Sequence, residues 1–259
     1  MFDSAHPVTG PTTAAATHRF GPLAAESDQL SATVVALPGT GSDADFARRA
    51  FGPAGAAHGV SVVAVEPDPR AVVASCLAAL DAAAATEPVV VAGISLGAAI
   101  AVEWALRHPD RVTGVVAALP GWTGPDTSGC PAAASAAMTA AQLRADGFEA
   151  VAARMRASSP PWLAAALTQS WGAQWPDLPQ ALEEAAAYAW PDTATLGAVR
   201  APVAVVGAVD DPVHPYAVAE QWAAAIPHAA LHGITLDELG ADPAILGHTG
   251  LAWLREQRG

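Results

Sequence analysis

Positive charge is scarce in this sequence, and lysine is absent altogether. All 12 basic residues are arginines, and 25 acidic residues bring the formal net charge to −13. Because such an acidic surface repels phosphate backbones and anionic lipids, we expect neither a nucleic-acid partner nor a membrane partner. The same charge disfavours anionic substrates.

Several signals of location and cofactor use are also missing. Two cysteines, Cys76 and Cys130, lie far apart without the spacing of metal ligands, which is typical of packing residues in a reducing compartment. The N-terminus shows no signal peptide, and no apolar run approaches the ~20 residues of a membrane helix. No metal-ligand cluster, phosphate-binding loop or dinucleotide fingerprint occurs. The sequence therefore predicts a cytoplasmic protein with no cofactor.

Strand-like and helix-like segments alternate along most of the chain. Residues 1–16 are rich in Pro, Thr and Ala and are expected to be poorly ordered, and residues 17–26 are compatible with a short edge hairpin. Apolar, β-branched runs then predict strands at 32–37, 60–65, 89–92, 112–119, 202–207 and 229–235. This order predicts an α/β fold, a mostly parallel sheet with helices on both faces, built from residues 17–121 and 196–259.

The alternation stops between residues 122 and 195. This stretch is helical in composition and interrupted by prolines, and it holds five of the eight tryptophans: Trp122, Trp162, Trp171, Trp175 and Trp190. We expect an inserted helical cap. Packing is the usual role of such tryptophans, but over an active site they would also favour an apolar acyl pocket, with Trp122 as a candidate lining residue.

The most informative stretch is residues 93–97, Gly-Ile-Ser-Leu-Gly, which joins a predicted strand to a predicted helix. A serine on such a sharp turn adopts strained backbone angles, and glycine on both sides removes side chains that would crowd it. The turn also brings the Ser95 hydroxyl to a helix N-terminus, whose free N–H groups favour a developing oxyanion. The pattern predicts that Ser95 is a nucleophile; the alternative is an ordinary glycine-flanked turn of a nucleotide-binding sheet.

Around this turn the chain resembles the α/β-hydrolases, over roughly residues 30–120 and 196–259. The segment 210–215, Asp-Asp-Pro-Val-His-Pro, is similar to the loop that carries the acid of the family's catalytic triad. The resemblance implies Asp211 as that acid, with Asp210 as the alternative. It also implies an oxyanion hole made by the backbone N–H groups of Thr40, which follows Gly39, and Leu96.

The triad histidine is the unsettled element. The family places it soon after the last strand, near residues 237–240, where this sequence has none. His248 is preferred, because it follows Asp211 in chain order and is preceded by glycine, although it falls within a predicted helix. The other two candidates for the base are His232, in the predicted last strand, and His214, which shares the loop of the acid and is also a candidate to line the site. The absence of any catalytic histidine is the remaining alternative.

With a complete triad, the sequence predicts a serine hydrolase that cleaves small to medium apolar carboxylic esters through an acyl-enzyme. The partner is then a small-molecule ester, and the oligomeric state stays open. A cofactor-free perhydrolase or a carbon–carbon bond hydrolase would use the same serine. The missing histidine motivates a different alternative, a degenerate hydrolase fold that binds a small molecule without turnover.

Overall fold

A computed structural model of the protein describes residue 1 and residues 33–258. The predicted edge hairpin and, except for residue 1, the poorly ordered N-terminus lie outside the described residues. The described strands form one parallel sheet in the order β2-β1-β3-β4-β5-β6. They are β1 (Thr33–Leu37), β2 (Ser61–Ala64), β3 (Val89–Ile94), β4 (Val112–Ala118), β5 (Val203–Ala208) and β6 (Ala229–Ile234). The predicted α/β architecture is therefore confirmed.

Helices connect the strands. They are α1 (Ala44–Ala57), α2 (Val72–Ala83), α3 (Leu96–Arg107), α4 (Pro131–Asp146), α5 (Phe148–Ser158), α6 (Pro161–Gln174), α7 (Leu178–Ala186), α8 (Thr193–Leu196), α9 (Tyr216–Ala225), α10 (Leu236–Ala241) and α11 (Ile245–Glu256). Across the described ranges, none of these helices combines the length and the apolar character needed to span a membrane.

Both faces of the sheet are buried. Along the central strand β3, Val89 and Val91 contribute to one apolar cluster, whereas Val90 and Ala92 contribute to the cluster on the opposite face. Helices α2, α3 and α9 cover the first face, and α1 and α11 cover the second. This burial explains why β3 reads as a continuous apolar run, and it leaves Ser95 at the carboxyl end of the central strand.

Helices α4 to α8 fill the long connection between β4 and β5, where the sequence lost its alternation. Four of them, α4 to α7, contribute to a separate apolar cluster of their own. They also bind the core: the carboxylate of Glu184 in α7 accepts backbone N–H groups of Val72 (2.7 Å) and Val73 (3.1 Å) at the N-terminus of α2. A side chain about 110 positions away thus caps α2. The role of this insertion as a cap stays a prediction.

The C-terminal end differs from the sequence prediction. An Asp-Pro pair such as 242–243 is typical of the cap and first residue of a helix, but Asp242 follows the end of a short helix, α10, and α11 begins only at Ile245. Helix α10 begins with a reciprocal capping box between Thr235 and Glu238. The pattern Thr-x-x-Glu at 235–238 is a helix-start signal that the sequence analysis missed.

The two adjacent carboxylates of α7 provide a stability test. We expect Glu184→Ala to lower the free energy of unfolding by about 1–2 kcal/mol, because it removes the acceptor for two helix N–H groups. Glu183→Ala is the matched control, since Glu183 pairs with Arg144 at the solvent-exposed surface and should matter little. Urea unfolding followed by circular dichroism measures both; equal effects of the two substitutions would contradict the capping role.

Candidate active site

Ser95 occupies the sharp turn between β3 and α3, with φ 55° and ψ −116°. Both flanking glycines are sterically required. A Cβ on Gly93 would overlap the carbonyl of Gly97, and a Cβ on Gly97 would lie 2.6 Å from the carbonyl oxygen of Pro38 and 2.8 Å from that of Leu37. The crowding predicted from the sequence is therefore present, and it comes from backbone atoms that cannot move aside cheaply.

A second residue with strained backbone angles, Leu119, lies at the end of the neighbouring strand β4. Within the described part of the chain, Ser95 and Leu119 are the two non-glycine residues with positive φ, and Leu119 directly follows β4 (φ 50°). The Ser95 N–H donates to the carbonyl of Ala118 (2.9 Å), and the Leu119 N–H donates to the carbonyl of Val206 (2.7 Å). Sheet hydrogen bonds thus hold both strained residues at the carboxyl edge, and such strain is typical of functional sites.

A histidine contacts the Ser95 hydroxyl, and it is His214. Its Nε2 lies 2.9 Å from Ser95 Oγ, and its Nδ1 lies 2.8 Å from Oδ2 of Asp211. A carboxylate only accepts hydrogen bonds, so Nδ1 carries the proton in this arrangement, and Nε2 presents its lone pair to the hydroxyl. The three side chains form a continuous hydrogen-bonded series from the serine hydroxyl to the carboxylate.

Asp211 is fixed by its own loop, which follows β5. Its Oδ1 accepts the backbone N–H groups of Val213 (2.8 Å) and His214 (3.2 Å), while Oδ2 faces the imidazole. Burial alone would raise the pKa of Asp211, but the hydrogen bond and charge of His214, together with the two N–H groups, hold this pKa below its ordinary value. The carboxyl group therefore stays ionised.

The expectation that His248 serves Ser95 is wrong. His248 lies in α11 with an exposed side chain near His58 at the end of α1. It lowers the pKa of His58 less than burial and Arg255 do. Helix α11 packs on α1 across one face of the sheet and does not bring His248 to the carboxyl edge. The geometry assigns the contact with Ser95 to His214, one of the two less favoured candidates for the base in the sequence prediction.

His232 and Asp210, which the sequence left as candidates for the base and the acid, have structural roles. His232 lies in β6, where its ring meets the ring of Trp253 in α11 at 6.2 Å, so it faces the helix layer. Asp210 accepts the first backbone N–H of α10 (2.8 Å), which leaves the acid position to Asp211. This bond and the helix cap of α10 thus occupy the place after the last strand where the α/β-hydrolases that the chain resembles carry their histidine. The sequence signal for His214 was its spacing, three residues after the acid.

The loop after β1 approaches Ser95 from the other side. A Cβ on Gly39 would lie 3.5 Å from Cβ of Ser95 and 3.4 Å from the carbonyl oxygen of Ile94, so the backbone passes close to the nucleophile. Thr40 comes next in this loop. Leu96 is the first residue of α3, a position whose N–H has no acceptor within the helix.

The tryptophans of the inserted segment make packing contacts. Trp171 is buried in the cluster of the inserted helices, and Trp190 packs edge-on against Tyr188 at 5.8 Å. Trp122 donates its indole N–H to the carbonyl of Asp126 (2.8 Å), and its ring lies over Gly129. These contacts support the packing interpretation, and an apolar pocket lined by Trp122 stays a prediction.

Residues 33–258 hold no group of three or more His, Cys, Asp or Glu side chains placed to bind a metal ion. The arrangement around Ser95 brings together a hydroxyl, an imidazole nitrogen and an ionised carboxylate.

Comparisons with known proteins identify the family and the fold. The profile of the Alpha/beta hydrolase family matches residues 10–251. Among solved structures, a thermophilic esterase from Thermogutta terrifontis is 18% identical over 89% of this chain and 92% of that chain, with a TM-score of 0.64. An esterase from Rhodococcus is 19% identical over 87% and 88%, with a TM-score of 0.60.

An enol-lactonase from Burkholderia xenovorans is also similar, with 16% identity over 78% of this chain and 82% of that chain and a TM-score of 0.62. No curated protein matches the sequence significantly. At such low identities the solved structures establish the shared fold alone.

The contact between His214 and Ser95 is tested by the reactivity of the serine. Without a base at 2.9 Å the hydroxyl keeps its proton, so His214→Ala should slow phosphonylation of Ser95 by a fluorophosphonate at least about 10³-fold. His248→Ala should react at the wild-type rate. Intact-mass measurement over time gives both rates, and normal labelling of the His214 variant would refute the assignment.

Proposed function

Because the chain belongs to the alpha/beta hydrolase family, we propose that it is a serine hydrolase that cleaves carboxylic esters through an acyl-enzyme intermediate. The observation that carries this proposal is the hydrogen-bonded series from Ser95 through His214 to Asp211, with contacts of 2.9 and 2.8 Å. Asp211 and His214 come from one loop, and Ser95 comes from the central strand. Such a series has the parts that acyl transfer requires.

In the first half-reaction Ser95 Oγ attacks the ester carbonyl carbon while His214 Nε2 accepts the hydroxyl proton. A serine hydroxyl is a weak nucleophile near neutral pH, so this proton transfer is what makes the attack feasible. His214 then returns the proton to the departing alcohol, which leaves an acyl group on Ser95. Ionised Asp211 keeps the proton on Nδ1 and stabilises the imidazolium in between.

The developing oxyanion needs hydrogen-bond donors beside Ser95. We assign them to the backbone N–H groups of Thr40 and Leu96, as the resemblance to the family implied. Two features support this: Gly39 brings the loop after β1 against Ser95, and Leu96 opens α3 with a free N–H and the positive end of the helix dipole. Each such donor contributes about 10²–10³-fold to turnover in comparable sites.

Water completes the cycle. His214 accepts a proton from a water molecule, the hydroxide attacks the acyl carbonyl, and Ser95 is released with its proton restored while a carboxylic acid departs. No cofactor takes part in any of these steps. Within the chain, the residues that move protons are Ser95 and His214.

For the substrate we propose a neutral ester of small to medium size with an apolar acyl group. The net charge of −13 works against anionic substrates. The similar structures include two esterases and an enol-lactonase, which supports cleavage of an ester bond. The partner is therefore a small molecule, and neither nucleic acid nor a membrane surface is proposed.

The proposal is tested by removing the nucleophile. Ser95→Ala should reduce hydrolysis of short p-nitrophenyl esters by up to about 10⁶-fold, because the acyl-enzyme can no longer form. Steady-state kinetics with acetate, butyrate and octanoate esters measures the loss. Turnover that survives in Ser95→Ala would end the proposal, and a wild-type protein that binds these esters without turnover would favour the non-catalytic alternative.

A further inference from the structure

Helix α6 of the inserted segment is hydrogen-bonded to the loop that precedes α1. Ser170 Oγ donates to the carbonyl of Gly41 (2.7 Å), and Gln174 Nε2 donates to the carbonyl of Ser42 (2.9 Å). One residue further, Gln169 Nε2 donates to Oδ2 of Asp43 (3.1 Å). Three consecutive loop residues are thus held by three side chains of one helix.

The contact between α6 and this loop is unusual because its polar side chains are buried. Four polar or charged residues are buried in the described part of the chain: Asp43, Ser95, Ser170 and Gln174. One is the nucleophile, and the other three all lie at the junction between α6 and the loop. Burying a polar side chain costs free energy unless its hydrogen bonds are made. The three buried polar residues therefore indicate that the junction between α6 and the loop has one defined hydrogen-bonded geometry.

The loop is constrained from both ends. Gly39 lies against Ser95, and the Ser42 N–H donates back to the carbonyl of Gly39 (3.1 Å), which closes a tight turn. At Gly41 φ is 68°, and a Cβ there would lie 2.9 Å from the indole nitrogen of Trp171. Asp43 continues the restraint, because its Oδ1 caps α1 at the N–H of Phe46 (2.9 Å).

Thr40 sits between these restraints. Its N–H shares a peptide plane with the carbonyl of Gly39, and that carbonyl accepts the Ser42 N–H (3.1 Å), whose own peptide plane carries the Gly41 carbonyl held by Ser170. With Gly39 fixed on the other side, the direction of the Thr40 N–H has little freedom left. Donors aimed in advance at a developing charge stabilise a transition state without reorganisation at the moment of reaction.

We propose that Ser170 and Gln174 are positioning residues for the oxyanion hole, which hold the Thr40 N–H at its working angle. The inference rests on the proposed function, and it adds that two side chains of α6 support the oxyanion hole. Neither side chain touches the reacting atoms. Their effect should therefore appear in the transition state and leave ground-state binding of the ester unchanged.

The experiment compares two matched pairs of variants. Ser170→Ala and Gln174→Met remove the two donors to the loop. Thr168→Ala is the control on α6, since Thr168 bonds only to the carbonyl of Ala164 within the helix (2.7 Å). Gln180→Met is the control in α7, where the amide also joins the insertion to the core, at the carbonyl of Arg70 (2.8 Å), away from the oxyanion loop.

We expect kcat to fall about tenfold or more in each loop variant, below the about 10²–10³-fold loss of a whole donor, with KM unchanged. Affinity for an alkyl trifluoromethyl ketone should fall by the same factor, because Ser95 adds to its carbonyl and leaves an oxyanion in the hole. Both controls should match the wild type in kcat, KM and ketone affinity. Thermal unfolding of all four variants shows whether the fold is retained, and Ser170→Ala, the smaller change, decides alone if Gln174→Met fails to fold.

Three results would overturn the inference, and they are distinguishable. If the wild type hydrolyses esters and the loop variants behave like Thr168→Ala and Gln180→Met, the positioning role is wrong while the proposed function survives. A rise in KM with unchanged kcat would also refute it, since that result indicates a substrate-binding role. If the wild type neither hydrolyses esters nor reacts with a fluorophosphonate, the proposed function fails and the inference fails with it.

Discussion

The contact between the Ser95 hydroxyl and the His214 imidazole is the interaction on which the site depends. It requires a serine held in a strained turn at the carboxyl end of β3, and backbone atoms around Gly93 and Gly97 enforce that turn. It also requires an imidazole held at the right tautomer, which the carboxylate of Asp211 provides. A sheet buried on both faces supplies the rigid base for both requirements, because β3 and β5 are central strands with no exposed residue.

Placing acid and base in one loop simplifies the geometry. Asp211 accepts backbone N–H groups of its own loop and the imidazole three residues on, so their mutual arrangement depends on a single local turn. The connection after β6 is then free to be closed by the capping box of α10 and by Asp210. On the opposite side of Ser95, a second set of hydrogen bonds fixes the loop after β1, and its donors are the buried polar residues of α6. Precision at the site thus comes from two compact hydrogen-bonded loops on a rigid sheet.

Local patterns were sufficient to predict much of this arrangement. The alternation of strands and helices and the turn at 93–97 depend on signals within a few residues of each other, whereas Asp211 was implied by the resemblance of its loop to that of the α/β-hydrolases. The choice of histidine cannot be made from local signals, because His248 and His214 both follow Asp211 in the sequence. They are distinguished only by where β5 and α11 lie in the folded protein. Likewise, the contacts of Ser170, Gln174 and Glu184 join segments more than 100 residues apart, and no periodicity in the sequence encodes such pairings. The helix α10 could have been predicted, since its capping signal is local.

The central claim is that His214 shares a proton with Asp211 and presents its other nitrogen to Ser95. Proton NMR of protein labelled with ¹⁵N at the histidine side chains tests this most directly, because a proton between an imidazole nitrogen and a carboxylate resonates far downfield. The account predicts one such resonance, bonded to Nδ1, that is lost in His214→Gln and in Asp211→Ala and retained in His248→Gln. A downfield resonance that persists in His214→Gln, or that disappears in His248→Gln, would contradict the account.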